Sequence, residues 1–179
     1  MVDPAAFAVA ETLKTGVPVT VRALHAGDRA RMAAAIGNLG RESIYTRLFT
    51  YRTELTEAAL DRVMRFDADR EVALVVTTGR PPDEIVIGGG RYVVTDPVAR
   101  TAEVAFVVEE DFHGQGIAGR LLRHLAVLAR GRGIAAFEAE VLAGNKAMLA
   151  VFGRAGLPMT TRAEDGVVHV TLALGAAPA

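Results

Sequence analysis

The 179-residue sequence contains no cysteine and no tryptophan, and lysine is scarce, with Lys14 and Lys146 as its two representatives. The absence of cysteine excludes disulfides, thiolate metal ligands and thiol nucleophiles. The four histidines are scattered without the spacing of metal ligands. We therefore expect neither a metal site nor thiol chemistry.

The sequence also lacks an excess of charge of either sign, since 21 acidic residues face 20 basic ones for a net charge of −1. This balance does not favour nucleic acid or an acidic membrane as a partner. No apolar run approaches the roughly 18–20 residues of a membrane span, and the first residues lack the pattern of a signal peptide. We expect a cytoplasmic protein that binds neither nucleic acid nor membrane, and leave a homodimer open.

The length and the 51% hydrophobic content are ordinary for one globular domain. We predict an N-terminal extension over 1–16, a single domain over 17–174 and a flexible tail over 175–179. The hydrophobic patterns predict the order β-α-α-α-β-β-β-α-β-α-β-β. Such a chain belongs to the mixed α/β class, with helices on both faces of a central sheet.

The individual elements follow from periodicity and from turn residues. Strands are predicted over 17–23, 71–78, 85–94, 101–108, 136–142, 160–162 and 167–174. Helices are predicted over about 29–38, 43–49, 57–66, 116–130 and 146–155. Gly131 and Gly156 stand where left-handed residues end helices.

The most informative segment joins a buried strand to an amphipathic helix through Gly114 and Gly116. Glycines let a ligand approach the backbone, and the free N–H groups and dipole of a helix N-terminus favour an anion such as a pyrophosphate. We expect Arg120 and Arg123 to add positive charge in the first turns. Residues 113–119, called the glycine loop below, are therefore predicted to bind phosphate.

Gly114, Gly116 and Gly119 also spell G-x-G-x-x-G, the dinucleotide fingerprint, with Glu138 and Glu140 near the offset of a ribose-binding acid. In a dinucleotide fold, however, the first glycine follows the strand almost at once. Five residues, 109–113, intervene here. The motif also lies too late in the chain to leave room for a doubly wound sheet, so we set this interpretation aside.

The glycine loop resembles the signature of the GNAT superfamily of N-acetyltransferases, Arg/Gln-x-x-Gly-x-Gly/Ala. Residues 113–118 read His-Gly-Gln-Gly-Ile-Ala, with His113 in place of Arg or Gln. A second family element resembles Asn145 to Met148, followed by Gly156. Residues 42–49 are among those that look like the catalytic domain of bacterial protein-lysine acetyltransferases.

The resemblance implies a GNAT-like central mixed, mostly antiparallel sheet, with acetyl-CoA as co-substrate. It further implies transfer of an acetyl group to a primary amine, with a protein lysine as the expected acceptor. A small-molecule amine acetyltransferase and a non-catalytic acyl-CoA-binding module are the alternatives. The cofactor-binding residues that it implies are Phe106, Val107, Val108, His113, Gly114, Gln115, Gly116, Ile117, Ala118, Gly119, Arg120 and Asn145.

Glu103 is the candidate general base, because it is a charged residue inside an apolar strand. Strand alternation places it on one face with Ala105 and Val107, where we expect partial burial, which makes a carboxylate a better base. It also matches the glutamate thought to act as base in the lysine-acetyltransferase group. An ion pair with Arg91 or Arg100 is the structural alternative.

The general acid is less defined. Many family members have a tyrosine where this sequence has Phe152, which cannot donate a proton. By resemblance, the leaving thiolate either needs no acid here or receives its proton from Tyr45, Tyr51 or Tyr92.

Overall fold

The structure is a computed structural model that describes residues 3–38, 57–65 and 67–175. Its centre is an eight-stranded sheet in the order β1-β2-β3-β4-β5-β6-β8-β7. The strands are β1 Ala8–Thr12, β2 Pro18–Ala23, β3 Glu71–Thr78, β4 Ile85–Asp96, β5 Thr101–Val108, β6 Ala136–Leu142, β7 Met159–Glu164 and β8 Val167–Ala173. The helices described are α1 Arg29–Gly37, α2 Glu57–Met64, α3 Ile117–Gly131 and α4 Lys146–Gly153.

Neighbouring strands of the sheet are antiparallel except for β5 and β6, which are parallel. A parallel pair needs a crossover connection, which α3 provides between β5 and β6. The prediction of a mixed, mostly antiparallel sheet is thereby confirmed.

Helices cover both faces of the sheet, as predicted. The α3 stripe of Leu121, Leu125 and Leu128 is buried against one face together with Phe137. α1 and α2 pack on the other face, where Val75 of β3 joins Met32 of α1 and Leu60 of α2 in a second core cluster. Strand alternation explains why consecutive residues of β3 belong to different clusters. None of the helices in the described ranges combines the length and hydrophobicity needed to cross a membrane.

The residues before position 17, predicted as an extension, contribute β1 to the sheet. β1 pairs with β2 in antiparallel register, from Ala8 opposite Arg22 to Thr12 opposite Pro18. The strand has five residues, none of them buried. Its hydrophobic pattern is therefore too weak to predict it, although it places Glu11 and the following turn beside α3.

The left-handed residue predicted after α4 and the predicted turn of the last hairpin are confirmed, whereas the left-handed residue predicted after α3 is wrong. Gly131, predicted as the left-handed residue after α3, lies within the helix, and Gly133 has the positive φ of +79° instead. Gly156 has a φ of +69° after α4, as predicted. The last hairpin turns at Asp165 and Gly166, both with positive φ, which is the pattern of a type I′ turn.

A cluster of charged side chains holds the start of α1 against β2. Asp28 precedes the helix, as predicted, but its carboxylate accepts hydrogen bonds from the Arg22 guanidinium at 2.7 and 2.8 Å. It also accepts from the His25 backbone N–H at 2.9 Å. Burial alone would raise the pKa of Asp28, but the bonds from Arg22 and His25 outweigh it and hold the pKa below its usual value. The predicted helix over 43–49 lies outside the described residues.

Candidate active site

A cleft opens where β5 and β6 separate. Their pairing joins Thr101, Ala102 and Glu103 to the first three residues of β6 and does not continue beyond them. From there the two strands border a cleft of about 1180 Å³. Its lining includes Glu103 and Glu140 from one face of the sheet and Phe152 from the other. The cleft therefore reaches through the sheet.

The cleft wall formed by β5 offers unpaired backbone groups. The Glu109 N–H donates to the Ile87 carbonyl of β4 at 3.0 Å. Because alternate residues of a strand face opposite neighbours, Val107 also faces β4, whereas Phe106 and Val108 direct their N–H groups toward the cleft. His113 donates from Nε2 to the Val108 carbonyl at 2.9 Å. This contact holds the His113 ring against the end of β5. The role of His113 in cofactor binding stays a prediction.

The glycine loop presents further N–H groups to the cleft. Gly114 and Gly116 have φ values of +75° and +83°, in the left-handed region. The first N–H groups of a helix have no acceptor within it. In α3 the first backbone hydrogen bond runs from the Arg120 N–H to the Gly116 carbonyl, at 3.1 Å. A Cβ added at Gly114 or Gly119 would meet no atom within 4 Å. Open space and converging donors fit a pyrophosphate.

Arg120 supports the glycine loop from behind, and it is not among the residues that line the cleft. Its guanidinium donates to the carbonyl oxygens of Thr12 at 2.7 Å and Gln115 at 3.1 Å. Its Nε lies 2.7 Å from Glu11. The role of Arg120 toward the ligand stays a prediction, and the structure shows that β1 brings the Glu11 carboxylate to its guanidinium.

Two further predicted ligand-side residues are also occupied elsewhere. The Arg123 guanidinium lies 2.6 Å from Glu11. The Gln115 side chain accepts a hydrogen bond from the Thr15 hydroxyl at 2.7 Å and likewise does not line the cleft. Burial alone would raise the pKa of Glu11, but hydrogen bonds from His124 and Arg123 hold it below its usual value.

Three basic residues that sequence reasoning missed line the cleft: Lys14, Lys146 and Arg154. Lys14 lies in the turn between β1 and β2, a hairpin with no clear pattern in the sequence. Lys146 and Arg154 lie at the two ends of α4. The predicted helix α4 is the signal that could have identified Lys146 and Arg154, because this helix follows β6, a strand that borders the cleft.

Asn145 and Phe152 form the cleft wall on the α4 side. The Asn145 side-chain oxygen caps α4 by accepting from the Met148 N–H at 3.1 Å. Phe152 is buried and packs against Phe106, with ring centroids 6.1 Å apart. The position at which many family members have a tyrosine therefore holds a phenyl ring, which has no proton to donate to the leaving thiolate.

Glu103 lies on the face of the sheet opposite α3 and is exposed, contrary to the predicted partial burial. In the register of β5 and β6 it stands beside Glu138. Arg91, a predicted partner of Glu103, instead lies 3.7 Å from Glu71. Among the described residues, no basic side chain is within ion-pair distance of Glu103, so its carboxylate faces the cleft unpaired.

Tyr92 is excluded as a general acid. It is fully buried beside Phe137, with ring centroids 5.5 Å apart, and burial raises the pKa of its hydroxyl. It is also absent from the cleft lining. Tyr45 and Tyr51 lie outside the described residues.

Comparisons with known proteins agree with this geometry. The model of the acetyltransferase (GNAT) family matches residues 41–157. Acetyltransferase Pat from Mycolicibacterium smegmatis is 32% identical over 156 residues, which are 87% of this chain and 46% of that protein. Acetyltransferase PA5475 from Pseudomonas aeruginosa is 28% identical over 138 residues, 77% of this chain and 74% of that protein. The chain spans about half the length of Pat.

A crystal structure of the GNAT domain of S. lividans PAT superposes with a TM-score of 0.84 at 32% identity, covering 93% of this chain and 96% of that one. The chain belongs to the GNAT family of acetyltransferases. Acetyl-CoA is the acyl donor that goes with this membership.

Proposed function

We propose that the protein is an acetyl-CoA-dependent N-acetyltransferase that acts on a primary amine, with a protein lysine as the acceptor. The observation that carries the proposal is the cleft between β5 and β6, which has the glycine loop at one end and Glu103 at the other. One end supplies donors for phosphate, and the other supplies a carboxylate for a proton.

The cofactor end uses backbone groups. The N–H groups of Ile117, Ala118 and Gly119 point out of the start of α3 and suit the pyrophosphate. The N–H groups of Phe106 and Val108 suit the amide-bearing arm and the acyl carbonyl, whose polarisation by fixed donors is a large part of acyl-transfer catalysis. Acetyl-CoA supplies the activated acetyl thioester. Asn145, which is also predicted to bind the cofactor, lines the same cleft.

Glu103 is proposed to take the proton that the attacking amine must lose. An exposed carboxylate performs this directly or through one water molecule. The nitrogen gains the acetyl group, the carbon–sulfur bond breaks, and CoA leaves as a thiolate that takes up a proton from water. Removal of the base is expected to affect turnover far more than cofactor binding, because the cofactor end does not include Glu103.

The acceptor is a cation in its resting form, and the acidic side chains near Glu103 favour a cation. Glu138 and Glu140 are exposed on the same face of the sheet. The resemblance of residues 42–49 to bacterial protein-lysine acetyltransferases and the similarity to Pat support a lysine. A small cationic amine fits the same carboxylates and is the second candidate.

Turnover of acetyl-CoA against a panel of lysine-bearing proteins and a panel of small amines tests the proposal. Thiol release and acetylated lysine with the protein panel are expected. Thiol release with small amines alone would favour the second candidate. Saturable binding without turnover on either panel would instead indicate a non-catalytic acyl-CoA-binding module, which the phenyl ring of Phe152 makes worth testing.

A further inference from the structure

The turn between β1 and β2 holds Lys14 in a defined place. The Leu13 N–H donates to the Val17 carbonyl, and the Gly16 N–H donates to the Leu13 carbonyl, both at 2.9 Å. Leu13 is buried in the main core, and Gly16 takes a φ of +86° that closes the turn. The backbone on either side of Lys14 is therefore anchored, while its side chain is exposed.

Contacts on both sides of Lys14 tie this turn to the glycine loop. The Thr12 carbonyl accepts from Arg120 at 2.7 Å. The Thr15 hydroxyl donates to the Gln115 side chain at 2.7 Å. Because the same arginine also binds the Gln115 carbonyl, the turn and the loop form one hydrogen-bonded unit.

The Lys14 side chain lies close to Gly116. Its Cε is 3.6 Å from the position that a Cβ on Gly116 would occupy, and the Arg120 guanidinium is 2.8 Å from the same position. The ammonium nitrogen is one further bond, about 1.5 Å, from that carbon. The ammonium therefore lies beside the residue at which the free N–H groups of α3 begin, and both Lys14 and Gly116 line the cleft.

The charge of Lys14 is not paired with a carboxylate in the part of the chain that the structure describes, unlike the cations of α3 beside it. Arg120, Arg123 and His124 all contact Glu11 at 2.6 to 2.7 Å. Within the described ranges, no carboxylate is within ion-pair distance of Lys14. An ammonium is a compact point charge that suits a phosphate oxygen.

We propose that Lys14, which lines the cleft beside Gly116, binds the pyrophosphate of acetyl-CoA, while Arg120, which is paired with Glu11, positions the glycine loop. This inference rests on the proposed function. Lys14 precedes the segment 41–157 that matches the family model, so family membership does not assign this role to it. The N-terminal hairpin would then be part of the cofactor site.

Calorimetric titration of the full chain tests this assignment with three ligands. They are CoA, dephospho-CoA without the 3′-phosphate, and acetyl-pantetheine without any phosphate. The variants are Lys14→Ala, the conservative Lys14→Arg, and Arg162→Ala as a control cation on the exposed β7, paired with Glu164. Because Lys14 is exposed, the variants should keep the melting temperature of the wild type.

Lys14→Ala should weaken CoA and dephospho-CoA alike, by about tenfold or more. It should not change the affinity for acetyl-pantetheine, and it should make CoA binding less sensitive to salt. Lys14→Arg should recover most of the affinity, and Arg162→Ala should bind like the wild type.

Wild-type affinity of folded Lys14→Ala for CoA would overturn the inference alone. A loss seen with CoA but not with dephospho-CoA would also overturn it, since the contact would then be to the 3′-phosphate. If the wild type itself does not bind CoA, the proposed function fails and this inference fails with it, an outcome that the wild-type titration separates from the others.

Discussion

The cofactor end of the cleft presents backbone N–H groups, whereas the opposite end presents side-chain carboxylates. At the cofactor end, the left-handed glycines 114 and 116 fix where the donors point. At the opposite end, Glu103 stands on a regular strand and only its side chain carries the chemistry. Cofactor binding should therefore depend on the loop glycines and on the two side chains beside them, Lys14 and Arg120, whereas proton transfer at the opposite end should depend on the single carboxylate of Glu103.

Each face of the sheet also carries a cluster of arginines and carboxylates. Behind the glycine loop, Glu11 binds Arg120 and Arg123. Behind α1, on the Glu103 side of the sheet, Asp28 binds Arg22. The first cluster contacts the glycine loop directly, so its loss should weaken cofactor binding. The second contacts only the scaffold, so its loss should lower the free energy of unfolding.

The largest effect on binding is expected from Gly116→Val. A branched side chain at a φ of +83° is strained, and its Cβ would lie 2.8 Å from the Arg120 guanidinium. The strain and the clash would displace the loop N–H groups that are proposed to hold the phosphate. Calorimetry should detect no acetyl-CoA binding, while circular dichroism shows a folded protein. Unchanged affinity in the folded variant would show that the loop is only a turn.

Glu103→Gln tests the opposite end. If Glu103 removes the proton, kcat should fall by about 10²–10⁴-fold while the KM for acetyl-CoA barely moves. Glu138→Gln is the matched control, because Glu138 is the neighbour of Glu103 in the strand register, and a much smaller loss is expected. Wild-type kcat in folded Glu103→Gln would remove this residue from the mechanism.

Arg120→Met separates positioning from charge. Loss of its bonds to the Thr12 and Gln115 carbonyls should loosen the loop and raise the Kd for acetyl-CoA by about tenfold. Turnover at saturating acetyl-CoA should stay near the wild-type value. Arg123→Met removes the other guanidinium held by Glu11 but touches no loop carbonyl, so its Kd should change little. Equal losses in the two variants would argue for charge over positioning.

Asp28→Asn should lower the free energy of unfolding at pH 7 by about 2 kcal/mol, since it weakens charged hydrogen bonds, and leave kcat per folded molecule unchanged. The folded-state pKa of Asp28 lies below its unfolded value. Its stabilisation is therefore complete above the unfolded pKa, near about 3.9, and disappears as the pH falls through the folded pKa.

The difference between the wild type and Asp28→Asn should consequently shrink in acid. Urea unfolding at pH 7 and at pH 3 measures it. Asp83→Asn, at an exposed position in the turn before β4, is the control and should match the wild type at both values. A difference that grows toward acid would contradict the sign of the Asp28 shift.

Elements with strong periodicity could be predicted from the sequence. β5 over 101–108 and β6 over 136–142 have the predicted bounds, and α3 begins and ends within one residue of its prediction. The positive φ angles of Gly114 and Gly116 fit the predicted close approach of a ligand. These features depend on local pattern, which the sequence carries directly.

Contacts between distant segments could not be predicted in the same way. β1 is short and unburied, so Glu11 and Lys14 had no predicted place, and Arg120 was predicted to add positive charge near a phosphate. The exposure of Glu103 depends on what packs over its face of the sheet, which strand alternation alone does not give. The charge distribution at the cofactor end is therefore a tertiary property.

The central claim is that the opened cleft with its glycine loop binds acetyl-CoA and not a dinucleotide. Parallel calorimetric titrations of the wild type with acetyl-CoA and with NAD test it most directly. We expect saturable binding of acetyl-CoA with one site per chain and no heat from NAD. Preferential binding of NAD, or no binding of acetyl-CoA, would contradict it.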